Sequence, residues 1–221
     1  MALAVEGIDA PARAGGGAPR MSAPPGSVLA LSRDATGARS NVVWGVAWLI
    51  VIESMVIASL LVSYFYLRIG FPSWPPAGTP LPEFGSSTVA VGLLALSVAP
   101  IAMATRGVSR GSRGRLLAGT WSGLVLLGAY LTLSLLSLLG RSPTWRTNAY
   151  GSIVWTMDGY QLMHASTLLV LWSALVVLAH RGHFDERRHA AIQAAALYWY
   201  FTAASSLVVH ATIHLAPRVL G

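Results

Sequence analysis

Six side chains in this sequence could do chemistry inside a membrane, and their spacing says of what kind. Glu53 is the one acid in the apolar stretch WGVAWLIVIESMVIASLLVSYFYLR. If that stretch is a helix rising ~1.5 Å per residue, Glu53 lies near the middle of a ~30 Å hydrocarbon layer. A charged carboxylate there costs on the order of 3 kcal/mol, so such a residue is either proton- or lipid-linked or a polar clip to a neighbouring helix. Asp158, Gln161 and His164, in WTMDGYQLMH, step by three and form a drifting polar stripe along one helix side. A stripe of that kind must face protein, water or a cavity, and hydrogen bonding to another helix is its plainer reading. His210 and His214 stand at i, i+4, a spacing that could share a metal or haem iron. No third or fourth ligand accompanies them, so histidines at the level of the headgroups are the simpler expectation. The sequence offers no nucleophile–base pair, no full metal set and no phosphate loop, which suits a subunit better than a free enzyme.

The elements that must position these groups are apolar and long. Hydrophobic residues make up 54% of the 221 residues and charged ones only 10%, where a soluble domain carries roughly a quarter charged. Five apolar stretches follow one another: about 42–67, 88–105, 116–139, 149–179 and 190–215. Each approaches the ~20 residues a helix needs to cross the hydrocarbon. Embedded backbone must satisfy its own hydrogen bonds, so the expectation is an all-α membrane protein, a bundle of five transmembrane helices. Ten-residue alternation, the mark of a β-barrel, is not visible. Pro100 predicts a kink in the second helix. Gly119 and Gly123 make a GxxxG pattern that permits close packing of the third. Residues 1–40, rich in Ala, Gly, Pro and Ser, read as a disordered tail ahead of a membrane domain over 41–221, and lack the apolar core of a signal peptide.

Charge orients the bundle. All fifteen cations are arginines. Arg13, Arg20, Arg33 and Arg39 of the tail share one side with Arg106, Arg110, Arg113, Arg115, Arg181, Arg187 and Arg188 of two links. Only Arg68, Arg141, Arg146 and Arg218 fall on the other. The positive-inside rule puts the N-terminus inside and the C-terminus outside. The net charge of +7 therefore belongs to membrane loops. With no basic run interleaved with aromatics, nucleic acid is excluded as a partner. Cysteine is absent, and with it disulfides and thiolate metal sites. Trp44, Trp74, Trp145, Tyr150, Tyr198 and Trp199 are expected at the membrane interfaces. The loop FPSWPPAGTPLPEF, with five prolines, is expected to form an ordered outer cap, and His180, His183 and His189 a solvated, weakly buffering surface.

The stretch WGVAWLIVIESMVIASLLVSYFYLR followed by SWPPAGTPLP resembles the opening of subunit III of the haem–copper terminal oxidases of the cytochrome c oxidase type. AYGSIVWTMDGYQLMHAST is similar to that family's Gly-aromatic-His-Gly-x-His run, and ALYWYF to the YWHF opening of its last helix. The likeness runs collinearly from about Trp44 to the C-terminus and matches the five-span bacterial members. Gln161 stands where the family's first histidine is usual, Leu162 replaces a glycine, Tyr200 replaces the histidine of YWHF, and Ala203 stands for an aspartate. The family's third-helix Gln and Glu have no counterpart in GLVLLGAYLTLSLL, so this resembles a divergent member with a pruned polar interior.

The resemblance implies a non-catalytic accessory subunit without metal of its own, in a bacterial inner membrane. It implies packing beside the catalytic subunit I, with subunit II, the haem and copper belonging to the partner. It also implies phospholipid held in a cleft between the first two helices and the rest, and support for proton uptake and catalytic longevity in aerobic electron transport. By that likeness Glu53 and Arg68 line or border the lipid cleft, and Asp158, Gln161 and His164 are the remaining proton- or lipid-linked positions. Three other readings stay open: an accessory protein of a nitric oxide reductase, a stand-alone haem or copper binder using His164, His210 and His214, and a small transporter resting on Glu53.

Overall fold

The computed structural model describes residues 40–186 and 188–220. The tail expected over 1–40, and with it Arg13, Arg20, Arg33 and Arg39, lies outside the described residues except for Ser40, as does Arg187. Every described regular element is helical, in the order α1 (Asn41–Ile69), α2 (Gly85–Val108), α3 (Arg113–Leu139), α4 (Ala149–His180) and α5 (Ala190–His210). A π-helical turn, Ala211–Leu215, and a short helix α6, Ala216–Leu220, prolong α5. Five helices are long and apolar enough to cross a membrane, the fifth taken over Ala190–Val219. The described chain is thus a multi-pass helical membrane protein.

Local sequence sets where the helices stop. Asn148 caps α4, its Oδ1 accepting from the Gly151 amide at 2.7 Å. The link between α2 and α3 is four residues long because Gly111 adopts φ +66°, a left-handed conformation that glycine enters at little cost. Serine and threonine hydroxyls along the spans donate back to carbonyls one turn earlier, as Ser54 does to Ile50 at 2.7 Å and Ser63 to Ser59 at 2.8 Å. Hydroxyls on lipid-facing surfaces are thereby satisfied without a partner helix. α2 runs as one continuous helix through Pro100.

The packing is unequal. α2 and α3 lie against each other most extensively, with α3 on α4 and α2 on α5, while α1 rests mainly on α5 and α4. The close approach of α2 and α3 follows from the GxxxG pair. A Cβ on Gly119 would lie 2.4 Å from the Pro100 carbonyl oxygen and 2.8 Å from the Ala104 amide nitrogen. One on Gly123 would meet Ile101 Cδ1 at 2.6 Å. The main core fills the space among α2, α3, α4 and α5 around Leu94, Leu127, Leu168, Trp172 and Trp199. A second, smaller cluster joins Ile57 and Tyr64 of α1 to Tyr150, Val154 and Met157 of α4 and to Trp74 of the proline-rich loop. Trp74 stands edge-on to Tyr64 and Tyr150 at 5.4 and 5.0 Å, so the loop docks on the bundle end as an ordered cap.

Three expectations are corrected here. Of the aromatics expected at the interfaces, Trp44 and Trp145 are exposed, but Trp74, Tyr150, Tyr198 and Trp199 are buried in protein. Aromatics near span ends serve helix packing as readily as headgroup contact. Among the link histidines, His180 and His183 are exposed, whereas His189 is buried ahead of α5. A cleft with the first two helices on one side is not the arrangement either. α2 belongs to the main bundle and α1 alone is set apart.

Candidate functional site

The stripe on α4 does not form one site; its three members engage three different elements. Toward α1, the Tyr160 hydroxyl donates to Glu53 Oε2. His164 Nε2 lies 3.2 Å from the same oxygen, within ion-pair reach though not aligned as a hydrogen bond. His164 is fully buried, and the Glu53 side chain retains 19% of its accessibility. The rings of Tyr160 and His164 meet edge-on, 4.4 Å between centroids. His164 Nδ1 lies 2.8 Å from the Tyr160 carbonyl oxygen, which can only accept, so Nδ1 carries a proton. Nε2 is then the ring nitrogen turned toward Glu53 Oε2. The trio thus brings a carboxyl, a phenol and an imidazole together at mid-helix, with Tyr160 donating to Glu53 Oε2.

Toward the link that follows α3, Asp158 Oδ2 pairs with Arg141 Nη2 at 2.6 Å. Toward α5, Gln161 Oε1 accepts from Ser205 Oγ at 3.4 Å. Arg68 is at the far end of α1, fifteen residues from Glu53, about 22 Å of helix rise away. It does not join the trio. His210 Nε2 lies 3.1 Å from Thr88 Oγ1 on α2, and the rings of His210 and His214 stack at 4.4 Å. His164, on the α1 side, does not converge with them. Among the described residues no three His, Cys, Asp or Glu side chains group closely enough to hold a metal ion.

Two participants escaped the sequence. Tyr160 is one turn before His164, so the pair shares a helix face with the stripe, and that spacing was the available signal. Arg141 counted only as a loop charge, although its long side chain reaches back to Asp158.

Fold and site define a class: a multi-pass helical bundle whose buried polar groups are joined across helices, with its most apolar helix latched on by one acid. The sequence profile of cytochrome c oxidase subunit III matches residues 31–215. Cytochrome c oxidase subunit 3 of Synechocystis sp. is 24% identical over 180 residues, covering 78% of this chain and 74% of the relative. That of Thermostichus vulcanus is 24% identical over 185 residues, 80% of this chain and 88% of the relative. The Homo sapiens protein is 27% identical over 143 residues, which span 64% of this chain but only 54% of the longer human one. The chain belongs to the cytochrome c oxidase subunit III family.

Proposed function

We propose that this chain is the non-catalytic subunit III of a haem–copper terminal oxidase in a bacterial inner membrane. It packs beside the catalytic subunit I and subunit II, which carry the haem and copper, and its N-terminus faces the cytoplasm. Its part in aerobic electron transport is to stabilise the catalytic subunit, hold phospholipid and support proton uptake.

The observation that supports this reading is the Glu53–Tyr160–His164 trio, which sets a carboxyl, a phenol and an imidazole together at mid-helix beside the exposed helix α1. Lipid has a matching place in an open groove of about 440 Å³ lined by Val43, Arg106, Gln193, Leu197 and Tyr200. There a phosphate can meet the exposed guanidinium and an acyl chain can lie along the apolar residues.

Purification from the native membrane tests the reading. The expected result is co-purification with a haem–copper catalytic subunit, identified by its visible spectrum and by mass spectrometry. Isolation without one, or with a nitric oxide reductase catalytic subunit, would overturn it. In that complex Glu53→Gln should leave assembly intact and shorten the turnover lifetime. An unchanged lifetime together with unchanged proton uptake would make Glu53 a structural clip.

A further inference from the structure

A second polar site lies away from the trio, among α2, α3, α4 and α5. A cavity of about 40 Å³ is lined there by Asp158, Arg141, Gln161, Ser206, His214 and Tyr130, among others. Gln161, Ser206 and His214 are each more than nine-tenths buried. Gln161 Nε2 and His214 Nε2 are nevertheless left without a partner, as is Arg141 Nη1, while Ser206 Oγ faces the Tyr130 hydroxyl. Buried polar atoms left unsatisfied each cost about 1–3 kcal/mol, and three around one cavity point to an occupant.

Their chemistry says which occupant fits. Gln161 Nε2 and Arg141 Nη1 can only donate. His214 Nδ1 lies 3.3 Å from the His210 carbonyl, so its proton is there and Nε2 presents a lone pair. Ser206 can do either. A cation is refused by the two donors and an anion by the His214 lone pair, while the Arg141 charge is already balanced by Asp158 at 2.6 Å. A neutral ligand that both donates and accepts satisfies all three unpartnered groups, and water is small enough. A site needs ~10–15 Å³ per water, so the cavity has room for about three or four. The π-helical turn at 211–215 helps to build the site by carrying His214.

The cavity also has an entrance. A hollow of about 260 Å³, lined by Leu81, Pro82, Glu83 and Ser142 of the loops, shares Ser87, Ser137 and Arg141 with it. In the other direction Gln161 bonds to Ser205, and beyond it lies the packed core of Leu168, Trp172 and Trp199. We propose that the interior of α2–α5 is a water-filled vestibule, entered from the membrane face bearing residues 70–84 and 140–148. The Arg141–Asp158 pair forms its neck and Gln161 its closed end.

Radiolytic hydroxyl-radical labelling of the intact complex in lipid nanodiscs tests this, because bound water generates radicals in place. Tyr130 and His214 should be labelled about tenfold faster than the equally buried Trp172 and Trp199, although tryptophan is intrinsically as reactive. After brief mixing with ¹⁸O-water, the oxygen added to Tyr130 should be ¹⁸O. Ser134→Leu, which fills the cavity from α3, should remove the labelling of His214. The wild-type comparison decides alone if that variant does not assemble. Protection of Tyr130 and His214 equal to that of Trp172 would refute a hydrated cavity, and ¹⁶O alone at Tyr130 would refute the entrance. Neither result bears on whether the chain co-purifies with an oxidase.

Discussion

α1 and the fifth span are both membrane helices, yet 6% of the most apolar stretch of α1 is buried inside the protein against 61% for the fifth. The more apolar of the two is the one left exposed on the chain's surface. In water the order would be reversed, since apolar surface would gather in the core. In a bilayer the surroundings are as apolar as a leucine side chain, so helices are sorted by close packing and by their polar groups. The fifth span carries Thr202, Ser205, Ser206, His210 and His214 and is drawn inward by them. α1 packs on α5 and α4, and its polar and aromatic anchors are the Glu53 trio and the Tyr64–Trp74–Tyr150 cluster.

Substitutions can break this contrast. The largest effect is expected in the main core. Trp199→Ala removes a fully buried ring that stands edge-on to Trp172 at 5.4 Å and donates to Ser97 at 2.8 Å, and should cost about 3–5 kcal/mol. Trp48→Ala, on the lipid-facing side of α1, should change stability by less than about 0.5 kcal/mol. Unfolding of the isolated subunit in mixed micelles measures both, and equal losses would abolish the distinction. Next comes the α2–α3 contact. Gly119→Ala forces a methyl against backbone that cannot yield, at about 2–3 kcal/mol. Gly128→Ala on the same helix meets nothing within 4 Å and should be neutral or stabilising by up to about 1 kcal/mol. A similar response at both positions would mean that the helices can slide apart.

The smallest expected effect is the most informative about α1. A double-mutant cycle with Glu53→Gln and Tyr160→Phe should give a coupling of about 0.6–1.7 kcal/mol, the range of hydrogen bonds between membrane helices. Additive losses would mean that the two side chains meet without holding the helix.

How much of this could be read beforehand follows the same division. Five spans were legible because the width of the hydrocarbon layer imposes a length that composition reveals directly, and the helices extend only a few residues beyond the expected bounds. Gly119 and Gly123 were legible as a packing surface, since small residues four apart have few other uses in lipid. Interhelical contact by Gln161 and His164 was legible as well, but their partners were not, and Asp158 instead meets Arg141 of a link. A repeat along one helix names the face that turns inward and nothing about which helix meets it. Arg141 was hidden because a charge next to a span reads as a loop residue, although a long side chain can return to the bundle. Trp199 and Tyr150 were hidden for a related reason: rings near a span end can face headgroups or protein, and only the neighbouring helices decide.

The separation in sequence between the two halves of the α1 latch bears on how the chain is made. Glu53 and Tyr160 are 107 positions apart. A ribosome adding about 5–20 residues per second therefore needs roughly 5–20 s to deliver the second after the first. Throughout that interval the first span must remain in the translocation site or in the bilayer with its acid unmatched, while α2 and α3 can already associate. Formation of the α1 latch is thus a late step, after α2 and α3 can have met.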